Sequence, residues 1–424
     1  MREPWLATWA VPVVYAIVAV SLGLALPRIE VSFLPTWDSG ISSAAAMTMY
    51  ASIASGMITL TGIVFSLVFV MVQFSATAYS PRLVLWMSRD PLVFHAIGVF
   101  TATFLYSISA LAWVDRRGSG SVPFVSAWLV VGLLLASVGM FIGLVHNLNR
   151  LQITSVLAFT GDFARHIIDV MYPPLEESIY LTGIGQLAPG PVTQRMFYSG
   201  PPRAIQSLDV RRLAALAEQV DGVIEMLSGV GDTVVGSTPL LCVYGGHQAL
   251  QERDLKKAIR TGTQRTFEQD PKYSIQLLRD IAIRALSPAV NDPTTAVQAL
   301  DQIEDLLRRL GCRRLEIGEV RDVSGRLRLV VPVPSWDDFL DLAFSEIRSY
   351  GRESMQVMRR MKALLSDLIE ALPNERLPAL RSQQRRLDST IARSFPDLQD
   401  QLEASAEDRE GLGATRKSRN GTPS

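Results

Sequence analysis

The sequence predicts a membrane α-helical protein: four transmembrane helices followed by a C-terminal, mostly helical α+β domain on the cytoplasmic side. Three observations lead there. The 424 residues carry 41 basic and 41 acidic side chains, but residues 1–150 hold only seven of the basic and five of the acidic ones. Four uncharged runs stand out in that first third, Pro4 to Pro27, Ser39 to Pro81, Pro91 to Val114 and Gly118 to Asn149. Within the second run, small and polar residues recur at alternating steps of four and three, which is the period of one helical face.

Each run is long enough to cross a bilayer core of about 30 Å, which takes roughly 20 helical residues. The spacing predicts helices near 9–27, 44–78, 92–114 and 123–148, separated by the charged clusters Arg28/Glu30, Arg82/Arg89/Asp90 and Asp115/Arg116/Arg117. The first run is too long for a signal-peptide core and lacks a small-x-small cleavage site, so it reads as a retained helix. An even number of spans puts both termini on one side. The loop after the first helix has no basic excess and the loop after the second has a weak one, which favours cytoplasmic termini. The Asp115–Arg117 cluster pulls the other way. The expected location is the bacterial inner membrane.

On the second helix the small-polar line runs Thr48, Ser52, Ser55, Thr59, Gly62, Ser66 and Gln73, interrupted by Phe69. The opposite face holds Ile53, Met57, Leu60, Val64, Leu67 and Met71. In lipid such a helix turns its polar face toward another helix or toward water. Small residues at Ser52/Gly56 and Gly62/Ser66 permit close backbone packing, while the Gln73 amide needs hydrogen-bond partners in a dry site. A packed seam and a solvated pathway both remain open. Arg82, following Ser80-Pro81, is either a lipid anchor or part of a charged pore mouth.

Residues 151–175 read as a helical connector that continues the fourth helix and ends at Tyr172-Pro173-Pro174. Residues 176–246 read as a small α/β unit with strands near 195–199, 203–208 and 222–227, and with Asp209 capping a helix. Gly231 to Leu240 is similar in wording to the closing hairpin of lipoyl- and biotinyl-type domains, but no modifiable lysine accompanies it, and no cofactor is assigned. Residues 247–400 read as a mainly helical domain. Its first helix is expected over 247–267, and the next two start at Asp270-Pro271 and at Asn291-Asp292-Pro293, each a capping residue followed by proline. A strand is expected over 326–331 and helices near 335–350, 352–372 and 374–394. Residues 401–424 are polar and are expected to be a disordered tail.

Thr61-Gly62-Ile63-Val64-Phe65-Ser66, followed by Phe74-Ser75 and Tyr79-Ser80-Pro81-Arg82-Leu83, forms one distinctive segment. Asp280-Ile281-Ala282-Ile283-Arg284-Ala285-Leu286-Ser287-Pro288-Ala289-Val290-Asn291-Asp292-Pro293-Thr294-Thr295-Ala296 forms another. In that order they resemble the bacterial predicted membrane proteins grouped as domain of unknown function 2254, over roughly residues 1–370. The resemblance implies a four-helix membrane part with a cytoplasmic domain and transfers no activity.

Arg265, Asp280, Arg284, Asn291, Asp292, Thr294 and Thr295 gather at the helix joints of the second segment. They form either a ligand site at a helix N-terminus or a structural joint in which Asp292 caps its helix while Arg284 and Arg265 pair with Asp280 and Asp270. No dinucleotide, phosphate-loop, serine-hydrolase or zinc-protease signature is present. The four histidines do not cluster with other ligands, and the cysteines Cys242 and Cys312 support neither a disulfide framework nor a zinc site. Catalytic and metal residues are therefore not assigned, and an enzyme is not expected. After residue 150 the chain has 34 basic and 36 acidic residues and no basic stripe, which argues against nucleic-acid binding. The expected partners are the lipid bilayer and further copies of the chain. The expected function is a homo-oligomeric channel or transporter-like protein with the second helix lining the pathway and a cytoplasmic regulatory domain; the alternative is a non-conducting scaffold or sensor that uses the second helix only for assembly, and an enzyme comes third.

Overall fold

The computed structural model describes residues 5–33, 40–78, 91–117, 122–148, 153–175 and 190–413. Its contacts divide the chain into two units, Met1–Ser155 and Val156–Ser424.

The first unit contains helices α1 (Trp5–Phe33), α2 (Ser43–Ala78), α3 (Pro91–Arg117) and α4 (Phe124–Leu148). Each includes a segment long and apolar enough to cross a membrane: Ala10–Phe33, Ser43–Val70, Pro91–Val114 and Phe124–His146. The packing centre is α3, which lies against all three of the others. Its contact faces are rich in small residues, with Ala96, Ala102 and Ala110 all buried. A Cβ placed on Gly23 of α1 would fall 2.5 Å from Ser109 Cβ, so only glycine permits this approach of α1 to α3. Thr103 and Ser137 join α3 to α4 through a hydroxyl pair at 2.9 Å.

Helix α1 does not stop at the charged pair near residue 28 but continues through Glu30 to Phe33. Glu30 is buried because its carboxylate accepts from the first amides of α4: Val125 N at 2.6 Å, Ser126 N at 3.1 Å and Ser126 Oγ at 3.1 Å. Orphan N–H groups at a helix start favour an anionic acceptor. Here the acceptor comes from another helix, so the residue read as a loop charge ties α1 to α4.

The second unit begins on α5 (Ile153–Met171). The expected continuity of the fourth span into this helix falls on residues 149–152, outside the described residues. α5 buries Val156, Leu157, Ala164, Ile167 and Ile168. It is tied to a later helix by Arg165–Asp305 at 2.8 Å, and to a residue just past that helix's end by Asp169–Arg313 at 2.6 Å.

Two sheets follow. Strands β1 (Val192–Phe197), β3 (Gly222–Met226), β5 (Pro239–Gly245), β7 (Glu319–Arg321) and β8 (Leu327–Val330) form a sheet of order β1-β5-β3-β8-β7. Its central pair, β3 and β8, is parallel, and its other neighbours are antiparallel. Strands β2 (Arg203–Leu208), β4 (Thr233–Val234) and β6 (Ile259–Gly262) form a second, antiparallel sheet of order β4-β2-β6. Helix α6 (Val210–Gln219) starts as expected, with the Asp209 side chain accepting from Arg212 N. Ile205, Leu213, Ile224, Leu241 and Leu329 share one core, so strands distant in sequence close over a single apolar cluster.

One expected helix is absent. In place of a helix over 247–267 there is a short helix α7 (Glu252–Lys257), followed by β6 paired to β2. The Thr261-Gly262-Thr263 stretch favours extended backbone over helix, and the unpaired edge of β2 supplies the partner. The sheets therefore draw strands from beyond residue 246, and the small α/β unit is not confined to 176–246.

The rest is helical: α8 (Pro271–Ala285), α9 (Pro293–Gly311), α10 (Trp336–Tyr350), α11 (Met355–Ala371), α12 (Leu377–Ser394) and α13 (Leu398–Ala404). The inner face of α9 is the one expected, with Ala296, Leu300, Ile303 and Leu307 all fully buried. Residues 401–413, expected as disordered tail, are instead held to α11 by Arg359–Glu403 at 3.2 Å, Ser366–Glu407 at 2.6 Å and Asp367–Arg409 at 2.8 Å. Alternating charges that read as a solvated tail find complementary charges on one helix. Residues 414–424 lie outside the described residues.

Candidate functional site

Thr48, Ser52, Ser55, Thr59, Gly62, Ser66 and Gln73 are all exposed on the protomer. The opposite face is turned inward. Met57 and Val64 are buried in a cluster with Val93, Ala96, Phe100 and Leu144, and Ile53, Leu60 and Leu67 are half-buried. The Met71 side chain and Arg82 lie outside the described residues. The small-polar line is thus not a seam between helices of one chain. A Cβ added at Gly56 or Gly62 would meet nothing within 4 Å.

Apolar side chains flank the line. Ile58 and Phe65 are exposed on one side, Ile63 and Val70 on the other, and Phe69 interrupts it. Two of the hydroxyls are already partnered by their own helix: Thr48 Oγ1 donates to the Ala44 carbonyl at 2.9 Å and Thr59 Oγ1 to the Ser55 carbonyl at 3.2 Å. Such back-bonding lets a hydroxyl sit in an apolar setting at low cost.

At the other polar centre of this unit, Glu30 caps α4 beside two fully buried tyrosines, Tyr50 and Tyr106. Sequence reasoning passed over all three. The available signal was register: Ala19, Gly23 and Glu30 follow one another on the buried face of α1.

The second sequence motif forms the joint between α8 and α9. Asp292 Oδ1 accepts from Thr295 N at 3.1 Å and Asp292 Oδ2 from Thr295 Oγ1 at 2.6 Å. Asn291 adopts φ +49°, a left-handed conformation that asparagine tolerates better than most residues. Its amide donates to the Ser287 carbonyl at 2.9 Å, and the Asp292 amide donates to the Ala285 carbonyl at 2.8 Å, which closes the end of α8. Thr294 is exposed.

The arginines of this cluster separate. Arg265 pairs with Asp270 at 2.6 Å and donates to Gln276 Oε1 at 2.7 Å. Burial pushes the Asp270 carboxyl above its ordinary pKa, and the Arg265 guanidinium pulls it back. Asp280 pairs with its neighbour Arg279 at 2.7 Å, not with Arg284 as expected. On a helix, Asp280 and Arg284 at i and i+4 share a face, but Arg279 also reaches Glu346 of α10 at 3.7 Å and so brings two acids to one guanidinium. The cluster is therefore not a single convergent site: Asp292, Asn291 and Thr295 shape the joint, and Arg265 serves the preceding helix start. Among the described residues no group of three His, Cys, Asp or Glu side chains is arranged to hold a metal ion.

Two relatives, uncharacterized proteins of Mycobacterium bovis and Mycobacterium tuberculosis, are each 27% identical to the chain over 409 residues, covering 93% of it and 78% of the relative. No solved structure matches. The family described as predicted membrane protein (DUF2254) matches residues 6–367, which hold both sequence motifs and all four apolar helices, and the chain belongs to that family.

Proposed function

We propose that this chain is a homo-oligomeric, channel- or transporter-like protein of the bacterial inner membrane, with the small-polar face of α2 lining a pathway shared between copies. The observation that carries the reading is the outward direction of that face: seven small or polar positions are exposed while Met57 and Val64 fill the protomer core. Lipid offers no hydrogen bonds, so a polar line on the outside of a membrane protomer is best matched by water or by another protein surface. Ile58/Phe65 and Ile63/Val70 would then pack against neighbouring copies on either side of the line. Both termini are cytoplasmic in this reading, and the second unit is the regulatory part.

A scaffold without conduction is the second reading, favoured by the back-bonded Thr48 and Thr59 hydroxyls and by Phe69. Cysteine substitution separates the two. With Cys242 and Cys312 changed to Ser, cysteines at Ser55, Thr59, Gly62 and Ser66 should react with small polar thiol reagents, because the thiolate forms only where water reaches. Cysteines at Met57 and Val64 should stay inert. Protection along the whole line, with assembly lost in Gly62→Leu, overturns the pathway and leaves the scaffold.

A further inference from the structure

Many arginines in the second unit are matched with acids. Arg360 pairs with Asp301 at 2.8 Å and Glu304 at 2.6 Å. Arg328 pairs with Asp221 and Asp322, each at 2.8 Å. Other arginines have no carboxylate partner among the described residues, and one pocket gathers several of them. Between α10 and α12 a pocket of about 290 Å³ is lined by Arg348, Arg385, Arg386 and Arg393, with the hydroxyls of Ser382, Ser389 and Thr390. No carboxylate lines it.

The nearest acid is Asp341 of α10, which reaches Arg386 at 3.0 Å and also accepts from the buried Gln383 at 2.7 Å. The other three guanidiniums have no carboxylate partner among the described residues. Arg348 donates only to Gln383 Oε1, at 3.3 Å, and Arg393 to the Ser389 carbonyl of its own helix, at 3.1 Å. Ser382 and Ser389 line the same space, and no other side chain among the described residues engages their hydroxyls. The one acid on this part of α12, Asp388, is taken by Lys362 of α11 at 2.6 Å.

Four cations converging on one open concavity repel one another; Arg348 is half-buried between the helices, and Arg385, Arg386 and Arg393 are exposed. Burial, and then the neighbouring Arg386 and Arg393, push the Arg348 guanidinium below its ordinary pKa, only partly opposed by Asp341. Here two helices bring them to one point, with hydroxyl donors between them. Planar guanidinium forks match phosphate oxygens in bidentate pairs, and the Ser382 and Ser389 hydroxyls add donors of the same kind, while the Thr390 hydroxyl donates to the Arg386 carbonyl at 2.9 Å.

We propose that this pocket binds a phosphate-bearing anion carrying two or more negative charges, of about the size of a diphosphate. The anion supplies the countercharge that the fold withholds. The source is either a free phosphate compound or the headgroup of an anionic phospholipid, which present the same chemistry. The proposal is independent of whether α2 conducts.

The test uses the full-length protein in nanodiscs. In discs of phosphatidylcholine, inorganic pyrophosphate is titrated and followed by calorimetry and by the melting temperature. In parallel, discs containing phosphatidylglycerol are melted without added phosphate. Arg385→Gln and Arg393→Gln each remove an unpaired pocket guanidinium. Arg381→Gln removes the same charge from the same helix outside the pocket lining and serves as the control. The expected result is binding or stabilisation that weakens by roughly tenfold or more in each pocket variant and stays native-like in the control. Response to pyrophosphate in neutral discs assigns a free anion, and response only to phosphatidylglycerol assigns a headgroup. Absence of both responses, or equal losses in Arg381→Gln and the pocket variants, overturns the site. A pocket variant whose unliganded melt matches the native one shows that the loss is not unfolding.

Discussion

Helices α2 and α3 carry similar hydroxyl residues, yet the first unit treats them in opposite ways. On α3, Thr103 and Ser107 are fully buried, and Thr103 reaches across to Ser137 of α4 while Ser107 donates to the Thr103 carbonyl at 2.7 Å. On α2, Thr59, Ser55 and Ser66 face out, and the Thr59 hydroxyl turns back on its own helix. Polar groups that join helices sit at the packing centre, whereas those on α2 face outward. Composition alone does not mark a polar membrane residue as structural glue. Its direction relative to the central helix does.

The widest test of this contrast removes the inward anchor of greatest charge. Glu30→Ala takes away the acceptor of three hydrogen bonds and leaves the first amides of α4 uncapped. It should cost about 3 kcal/mol, because charged acceptors and helix caps each contribute on the order of 1–2 kcal/mol. Detergent-resistance or thermal-unfolding measurements of the purified protein would show it. A native-like melt would mean that Glu30 does not hold α1 to α4.

A matched pair then compares the two helices with one substitution. Thr103→Val removes an interhelical hydroxyl pair and should destabilise by about 1 kcal/mol, within the range measured for hydrogen bonds between membrane helices. Thr59→Val should change protomer stability by under about 0.5 kcal/mol, because its hydroxyl touches only its own helix. If the two melts shift equally, the outward face of α2 is as deeply engaged as the interior, and the contrast fails. A Thr59→Val protein with a native melt and altered assembly or conductance sharpens it.

Much of this molecule was legible before any tertiary contact was known. Hydropathy located four apolar helices, because an uncharged apolar run of that length has few alternatives. Helical period placed Met57 and Val64 on one face of α2 and the small-polar line on the other. Capping chemistry started α6, α8 and α9 at Asp209, Asp270 and Asp292, since an aspartate ahead of a helix satisfies its orphan amides locally. All of these are short-range features that the sequence carries by itself.

Tertiary structure decided what required a distant partner. Residues 259–262 became a strand because the edge of β2 was there to pair with them. Glu30 became a cap because Val125, in the first turn of α4 and 95 residues later, lies beside it. Asp280 chose Arg279 over Arg284 because Glu346 draws the same guanidinium. The four arginines of the α10/α12 pocket lie on two helices, and only packing brings Arg348 to Arg385, Arg386 and Arg393. Periodicity fixes which residues share a face, because the helix repeat is local. It leaves open what that face meets, because lipid and a protein interior are equally apolar solvents for the same side chains.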